Sequence, residues 1–196
     1  MVQKKTILRK SNDGLVPVRV LQRTARKMLP FYQAIAASQT YAMKWSKAVT
    51  TADLDKMASL LRAVSPKINF EQLGSNSIGY FVAFPSGDPR FLLTNGTTIL
   101  PGSTQSVFEV RIHRAIARAV LPLYLKLARD CSFAAAFNKA VGMGNDKVVR
   151  QMVRSVVRTR ALISIGTGVE EGGVSLTFKY NSTEFIYRNL LFLDTV

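Results

Sequence analysis

The sequence predicts an α+β fold, a helix-rich single domain carrying a three-stranded antiparallel meander and a C-terminal β-hairpin. Three observations point there. Amphipathic runs with a period near 3.6 residues fill the first third of the chain and the stretch after Pro101. Between them, residues 78–100 are rich in aromatic and β-branched side chains. Near the end the period returns to two, with Leu176, Phe178 and Tyr180 alternating on one face. A length of 196 residues suits one domain, and 47% hydrophobic residues is enough for a packed core. That content excludes a wholly disordered basic tail.

The elements follow in order. Residues 1–13 read as a basic arm, with a brief strand at 6–9, ahead of a globular body over 14–196. Asn12-Asp13-Gly14 is a turn signal, and Pro17 suits the first turn of a helix. From Val18 the pattern is amphipathic, with Leu21, Ala25 and Met28 opposite a basic arc; Pro30 is expected to end or kink this helix. Residues 31–49 are helical again, anchored by Ile35, Tyr41 and Trp45. Thr50-Thr51-Ala52-Asp53 caps a helix running to about Val64, which Ser65-Pro66 stops. Residues 78–84 read as a strand, and Pro85-Ser86-Gly87-Asp88-Pro89 as a turn. Asn95-Gly96, between strand-like runs at 90–94 and 97–100, predicts a two-residue type I′ hairpin. Residues 107–121 are helical, Pro122 kinks the helix, and residues 123–140 continue it. Gly142-Met143-Gly144-Asn145-Asp146 breaks and recaps the chain. Residues 147–159 fit either period; the valines favour strand, whereas length and the Asp146 cap favour helix, which is the reading adopted. Residues 174–180 and 184–192, joined by Asn181-Ser182-Thr183, form the final hairpin.

Catalytic chemistry is poorly represented. Cys131 is the sole cysteine, so an intramolecular disulfide and a cysteine zinc cage are excluded. A reducing, intracellular compartment fits. The basic N-terminus lacks an apolar core segment, and no apolar run approaches the length of a bilayer span, so neither a signal peptide nor a transmembrane helix is expected. His113, the sole histidine, shares a helical face with Ile112, Ile116 and Val120, which reads as a core position. A Cys131–His113 dyad would have to be assembled in space, and Cys131 sits in an apolar stretch where a buried, inert thiol is expected. Glu170-Glu171 reads as a solvated loop. The glycines at 142–144 and 166–168 match no dinucleotide or P-loop spacing and read as turns. No catalytic residue, metal or cofactor is therefore expected.

The charge carries the functional reading. The chain is +15 at pH 7, with 27 Lys and Arg against 12 acids, so most of the positive charge has no internal partner. The charge is also periodic. Lys147, Arg150, Arg154 and Arg158 share one helical arc; Arg19, Arg23, Arg26 and Lys27 share a second; Arg111, Arg114 and Arg118 share a third. A guanidinium fork matches phosphate oxygens, and several on one helix face can meet successive phosphates. The expected function is non-enzymatic polyanion binding, with the phosphate backbone of RNA or DNA as partner, in a packaging or nucleoprotein role. Phe31, Tyr32, Tyr41, Trp45, Phe178, Tyr180 and Tyr187 lie near the charge but at core spacing. Two alternatives share these features. One is a self-assembling, coat-like homo-oligomer using strand edges and the apolar Leu190-Leu191-Phe192-Leu193. The other is a protein acting on anionic membranes through helices at 18–28 and 111–127.

Overall fold

In the computed structural model, which describes residues 16–100, 106–168 and 173–195, two long helices lie antiparallel across one face of a six-stranded sheet. They are α1 (Val18–Ala37) and α4 (Val110–Arg129). Their direction follows from their contacts. Tyr32 meets Tyr124 with ring centroids 4.6 Å apart, Phe31 lies 6.2 Å from His113, and Gln22 reaches Cys131 beyond the end of α4. Both helices are amphipathic and bury one stripe, including Val20, Leu21, Met28 and Ile35 from α1 and Ile112, Ile116, Val120 and Leu127 from α4. Each such side chain contributes about 1.5–3 kcal/mol when fully buried. Phe31 is the aromatic hub, edge-on to Tyr32, Trp45 and Tyr80 at 4.6–5.5 Å.

Four shorter helices surround this pair, and local capping starts each. The Ser38 hydroxyl accepts from the Tyr41 amide (3.1 Å) and opens α2 (Gln39–Thr50). Asp53 does the same for α3 (Leu54–Val64), Asp130 for α5 (Cys131–Gly142) and Asn145 for α6 (Asp146–Val156). A cap of this kind is worth about 1 kcal/mol. Helix, not strand, is thus the state of the stretch after Asn145. α1 runs through Pro30 without ending, because its buried stripe against α4 outweighs one lost helical hydrogen bond; the carbonyl freed is that of Arg26, an exposed residue. The expectations for residues 1–13 lie outside the described residues.

The strands are β1 (Gln72–Ser75), β2 (Gly79–Pro85), β3 (Phe91–Ile99), β4 (Leu162–Gly168), β5 (Gly173–Lys179) and β6 (Ile186–Thr195). All neighbours are antiparallel, in the order β1-β2-β3-β6-β5-β4. The class is α+β and helix-rich, as the sequence implied. The meander is built differently. Asn95-Gly96 makes no hairpin; it lies inside β3, which pairs along its whole length with β2 and β6. Neither residue adopts the positive φ that a type I′ turn needs. Gly96 serves close strand approach instead, since a Cβ there would strike the Tyr80 carbonyl. The turn of that region is at Gly87, with φ of 97°. β1 and β4 were not expected as strands, and the glycines at 166–168 belong to β4 rather than to a loop.

Under the helices the sheet carries a buried polar network. Asn95 accepts from the Tyr32 hydroxyl (2.8 Å) and donates to Tyr124 and to the Leu190 carbonyl. Asn189 accepts from Tyr124 (3.1 Å) and donates to Tyr32, Thr97 and the Gly96 carbonyl. Tyr80 donates to Thr97 (3.3 Å) and lies 3.2 Å from Nε2 of His113. Each member is buried, so these bonds decide the lateral fit of helices on sheet as well as its strength.

Candidate nucleic-acid interface

The register defines two ends of the sheet. β2 ends and β3 begins at the Pro85 end; β5 ends and β4 and β6 begin at the Tyr180 end. The three basic arcs divide between them. Arg23 of α1 donates to the Pro85 carbonyl (3.2 Å), and Lys27 donates to the Asn69 carbonyl (2.9 Å) while lying 5.6 Å over the Phe84 ring. Partial burial, then the neighbouring Arg23 charge, lowers the Lys27 pKa. Arg19, Arg23, Arg26 and Lys27 therefore gather at the Pro85 end.

The other two arcs meet at the Tyr180 end. Arg111 donates to the Ser182 carbonyl in the β5–β6 turn (3.4 Å). Arg114 and Arg118 reach the last carbonyls of α1, at Ala36 and Ala37, with distances of 3.1–3.4 Å. Burial pushes the Tyr180 hydroxyl up to about 12, and the nearby Arg118 charge pulls the other way. α6 runs along the β4 edge. Its Arg154 donates to the Leu162 carbonyl (3.4 Å), at the residue that pairs with Phe178. Arg158 and Arg160 occupy the link from α6 into β4, where the Lys179 amide bonds the Ala161 carbonyl. Arg111, Arg114, Arg118, Arg154, Arg158 and Arg160 thus rim one end of the sheet. Lys147 and Arg150 lie earlier on α6, and Arg150 pairs with Asp146 at 3.5 Å.

The α1 group stands apart, at the opposite end of the sheet and on the β1–β2 side. β2 and β4 are four strand spacings apart, roughly 19 Å. Among the described residues, ion pairs form only at Arg90–Asp88, Lys126–Asp130 and Arg150–Asp146, all partly or fully exposed. Exposed pairs of this kind are screened by solvent and contribute little to stability. At the Tyr180 end the described acids are Glu109, which takes a hydrogen bond from Thr183, and the exposed Glu184. The rim is electropositive as it stands.

Two rim and sheet arginines escaped the sequence reading. Arg160 follows the helical run and so has no periodic signal. Arg188 lies on β6, where strict alternation with the buried Tyr187 and Asn189 marks it as facing away from the helices. Of the seven aromatics near the charge, Phe31, Tyr32, Trp45, Phe178 and Tyr187 are buried in the core, whereas Tyr41 and Tyr180 are half-buried and pack against it. His113 is also buried, and its pKa is lowered to about 3 by burial. Cys131 departs from expectation, for it is exposed. The chain turns at Asp130, and Cys131 begins α5 on the outside of that corner, touching Gln22 at 3.6 Å. His113 and Cys131 are separated by most of α4, roughly 25 Å at 1.5 Å per residue, so they form no dyad. No group of three or more potential metal ligands occurs among the described residues. No helix among them is long and apolar enough to cross a membrane.

Comparison with protein-family models, with curated proteins and with solved structures returns no match.

Proposed function

We propose that this protein is a non-enzymatic nucleic-acid-binding protein that grips phosphates through the arginine rim at the Tyr180 end, in a packaging or nucleoprotein role. The observation that carries the reading is the convergence of six arginines from α4, α6 and the α6–β4 link on one end of the sheet, with two described acids nearby. Guanidinium groups that point outward without a carboxylate partner attract phosphate, and counterion release then drives binding. Arg114 and Arg118 are held at the end of α1, whereas Arg111, Arg154 and Arg158 each give one nitrogen to a backbone carbonyl and keep their other N–H groups for phosphate, beside Arg160. An exposed single thiol fits a reducing, intracellular setting.

The test is fluorescence anisotropy with labelled single-stranded RNA and DNA over a range of salt. Affinity should fall steeply as salt rises from about 50 to 200 mM. Replacing Arg154, Arg158 and Arg160 together by alanine should reduce the slope of log K against log salt by about 2 on a single strand. An affinity that ignores salt would sink the reading.

Self-assembly is a second reading, favoured by one observation. β4 is an edge strand, with Ile163 at its irregular step 52% exposed. Sedimentation that finds only monomer at high concentration, with and without oligonucleotide, would remove it. An anionic membrane is a weaker partner, because the apolar stripes of α1 and α4 are already spent on the core.

A further inference from the structure

The face of the sheet turned away from the helices has a regular organisation. Three rows of side chains cross it. The first holds Gly79, Thr98, Arg188, Thr177 and Ser164; the second holds Phe81, Gly96, Leu190, Ser175 and Gly166. The third pairs Ala83, Thr94 and Phe192, with Gly173 beside Phe192. On β6 each row carries a large side chain, giving a ridge of Arg188, Leu190 and Phe192. On β4 and β5 the rows hold only glycine and hydroxyl residues. A depression of about 450 Å³ lies against the ridge, lined by Arg188, Leu190, Phe192, Thr98, Ser175 and the two glycines 166 and 173, among others. Its size is in the range of small-ligand and nucleotide clefts. A side chain at Gly173 would strike Phe192, so the glycine is what allows β5 and β6 to approach this closely there.

Accepting the nucleic-acid reading above, we propose that single-stranded nucleic acid runs across this open face, with Arg188 on a phosphate and a base stacked on Phe192. The ridge begins two residues inside the Tyr180 end, so Arg188 continues the arginine rim onto the sheet. Arg188 is exposed, and no described carboxylate pairs with it. From Arg188 to Phe192 the strand rises about 13 Å. That brings a cation and an aromatic ring within reach of one short run of nucleotides. Thr98 and Ser175 line the floor beside the ridge, and the absent side chain at Gly166 leaves the backbone there approachable. Antiparallel sheets that stack unpaired bases on aromatic side chains use the same physics. A duplex cannot present a base face to the ring, so the site selects single strands.

The experiment uses the full chain and a labelled mixed-sequence single strand, with a duplex of equal length as control. The variants are Arg188→Gln, Phe192→Leu and the Arg154/Arg158/Arg160 triple alanine. Phe192→Leu keeps an apolar side chain over Gly173 but removes the stacking surface, and circular dichroism confirms its fold. The expected result is a preference for the single strand, weakened about fivefold or more by either single substitution, with duplex affinity nearly unchanged. Photo-cross-links should fall on β3 and β6 peptides. If both single variants bind like the parent while the triple variant loses affinity, the open-face site is wrong and the rim reading survives. If the parent binds neither nucleic acid at low salt, both readings fall.

Discussion

His113 is the residue whose chemistry most exceeds its position in the sequence. It is fully buried among Phe31, Tyr80 and Phe108, with Nε2 against the Tyr80 hydroxyl and Nδ1 without a partner. Burial lowers its pKa from 6.5 to about 3. The folded state therefore holds the ring neutral, while the unfolded chain protonates below 6.5. Stability is complete above that value and falls as pH drops from 6.5 towards 3, by about 1.4 kcal/mol per unit. A melting-temperature profile should show this slope between pH 6.5 and 4.5, before the carboxylates titrate. His113→Phe should flatten it, and an unchanged slope would show that another group is responsible. The position of His113 on a core face was legible from its apolar neighbours. The network beside it was not. Asn95 looked like half of a turn because a side-chain amide and a backbone bend share the same residue types, and only the pairing of β3 on both sides distinguishes them.

At the scale of elements, α3 was readable from its Asp53 cap and α6 from its break and apolar stripe, although the cap is Asn145 and not the expected Asp146; the breaks at Ser38 and Asp130, which divide stretches expected to be continuous helix, were not. Asp53, Asp130 and Asn145 each bond the amide three residues on. The end of α1 is less conventional. Its last carbonyls are met by Arg114 and Arg118 from the antiparallel partner, so part of the third basic arc stabilises the helix terminus as well as adding charge. Replacing both by methionine should lower stability by about 1–3 kcal/mol, measured by urea unfolding, with the loss concentrated at the α1–α2 junction in hydrogen exchange. Equal protection at residues 34–40 in parent and variant would refute the capping role. Periodicity assigned these arginines to one face correctly. It could not reveal that the face looks onto another helix end, because that depends on how α4 crosses α1. The glycine-rich β4 was illegible for a related reason: its pairing with β5, rather than any propensity of its own, makes it a strand.

At the scale of the whole molecule, charge and topology are coupled. Two of the three basic arcs meet because α4 and the end of α6 both overhang the Tyr180 end, and the α1 arc is excluded because α1 runs the other way. The fold class was visible in the alternation of periods, but the insertion of β6 between β3 and β5 was not. Sequential strands usually pair, and β3 and β6 are separated by three helices and two strands. A chain stopped after Glu184 loses the strand that joins the two halves of the sheet. It should show no cooperative thermal transition, whereas a sharp native-like melt would contradict the central role of β6.

The place of β6 also sets a schedule. It is the last of the described strands in chain order, yet it is the one both neighbours need. While the polypeptide is being synthesised, β1-β2-β3 and β4-β5 emerge as two separate half-sheets, each with an unsatisfied inner edge. Folding is deferred until residues 186–195 have emerged, and the long closure it then requires makes that step slow. Arg188 and Phe192 lie on that same strand, so an unfinished chain lacks the open face that the proposed single strand would cross.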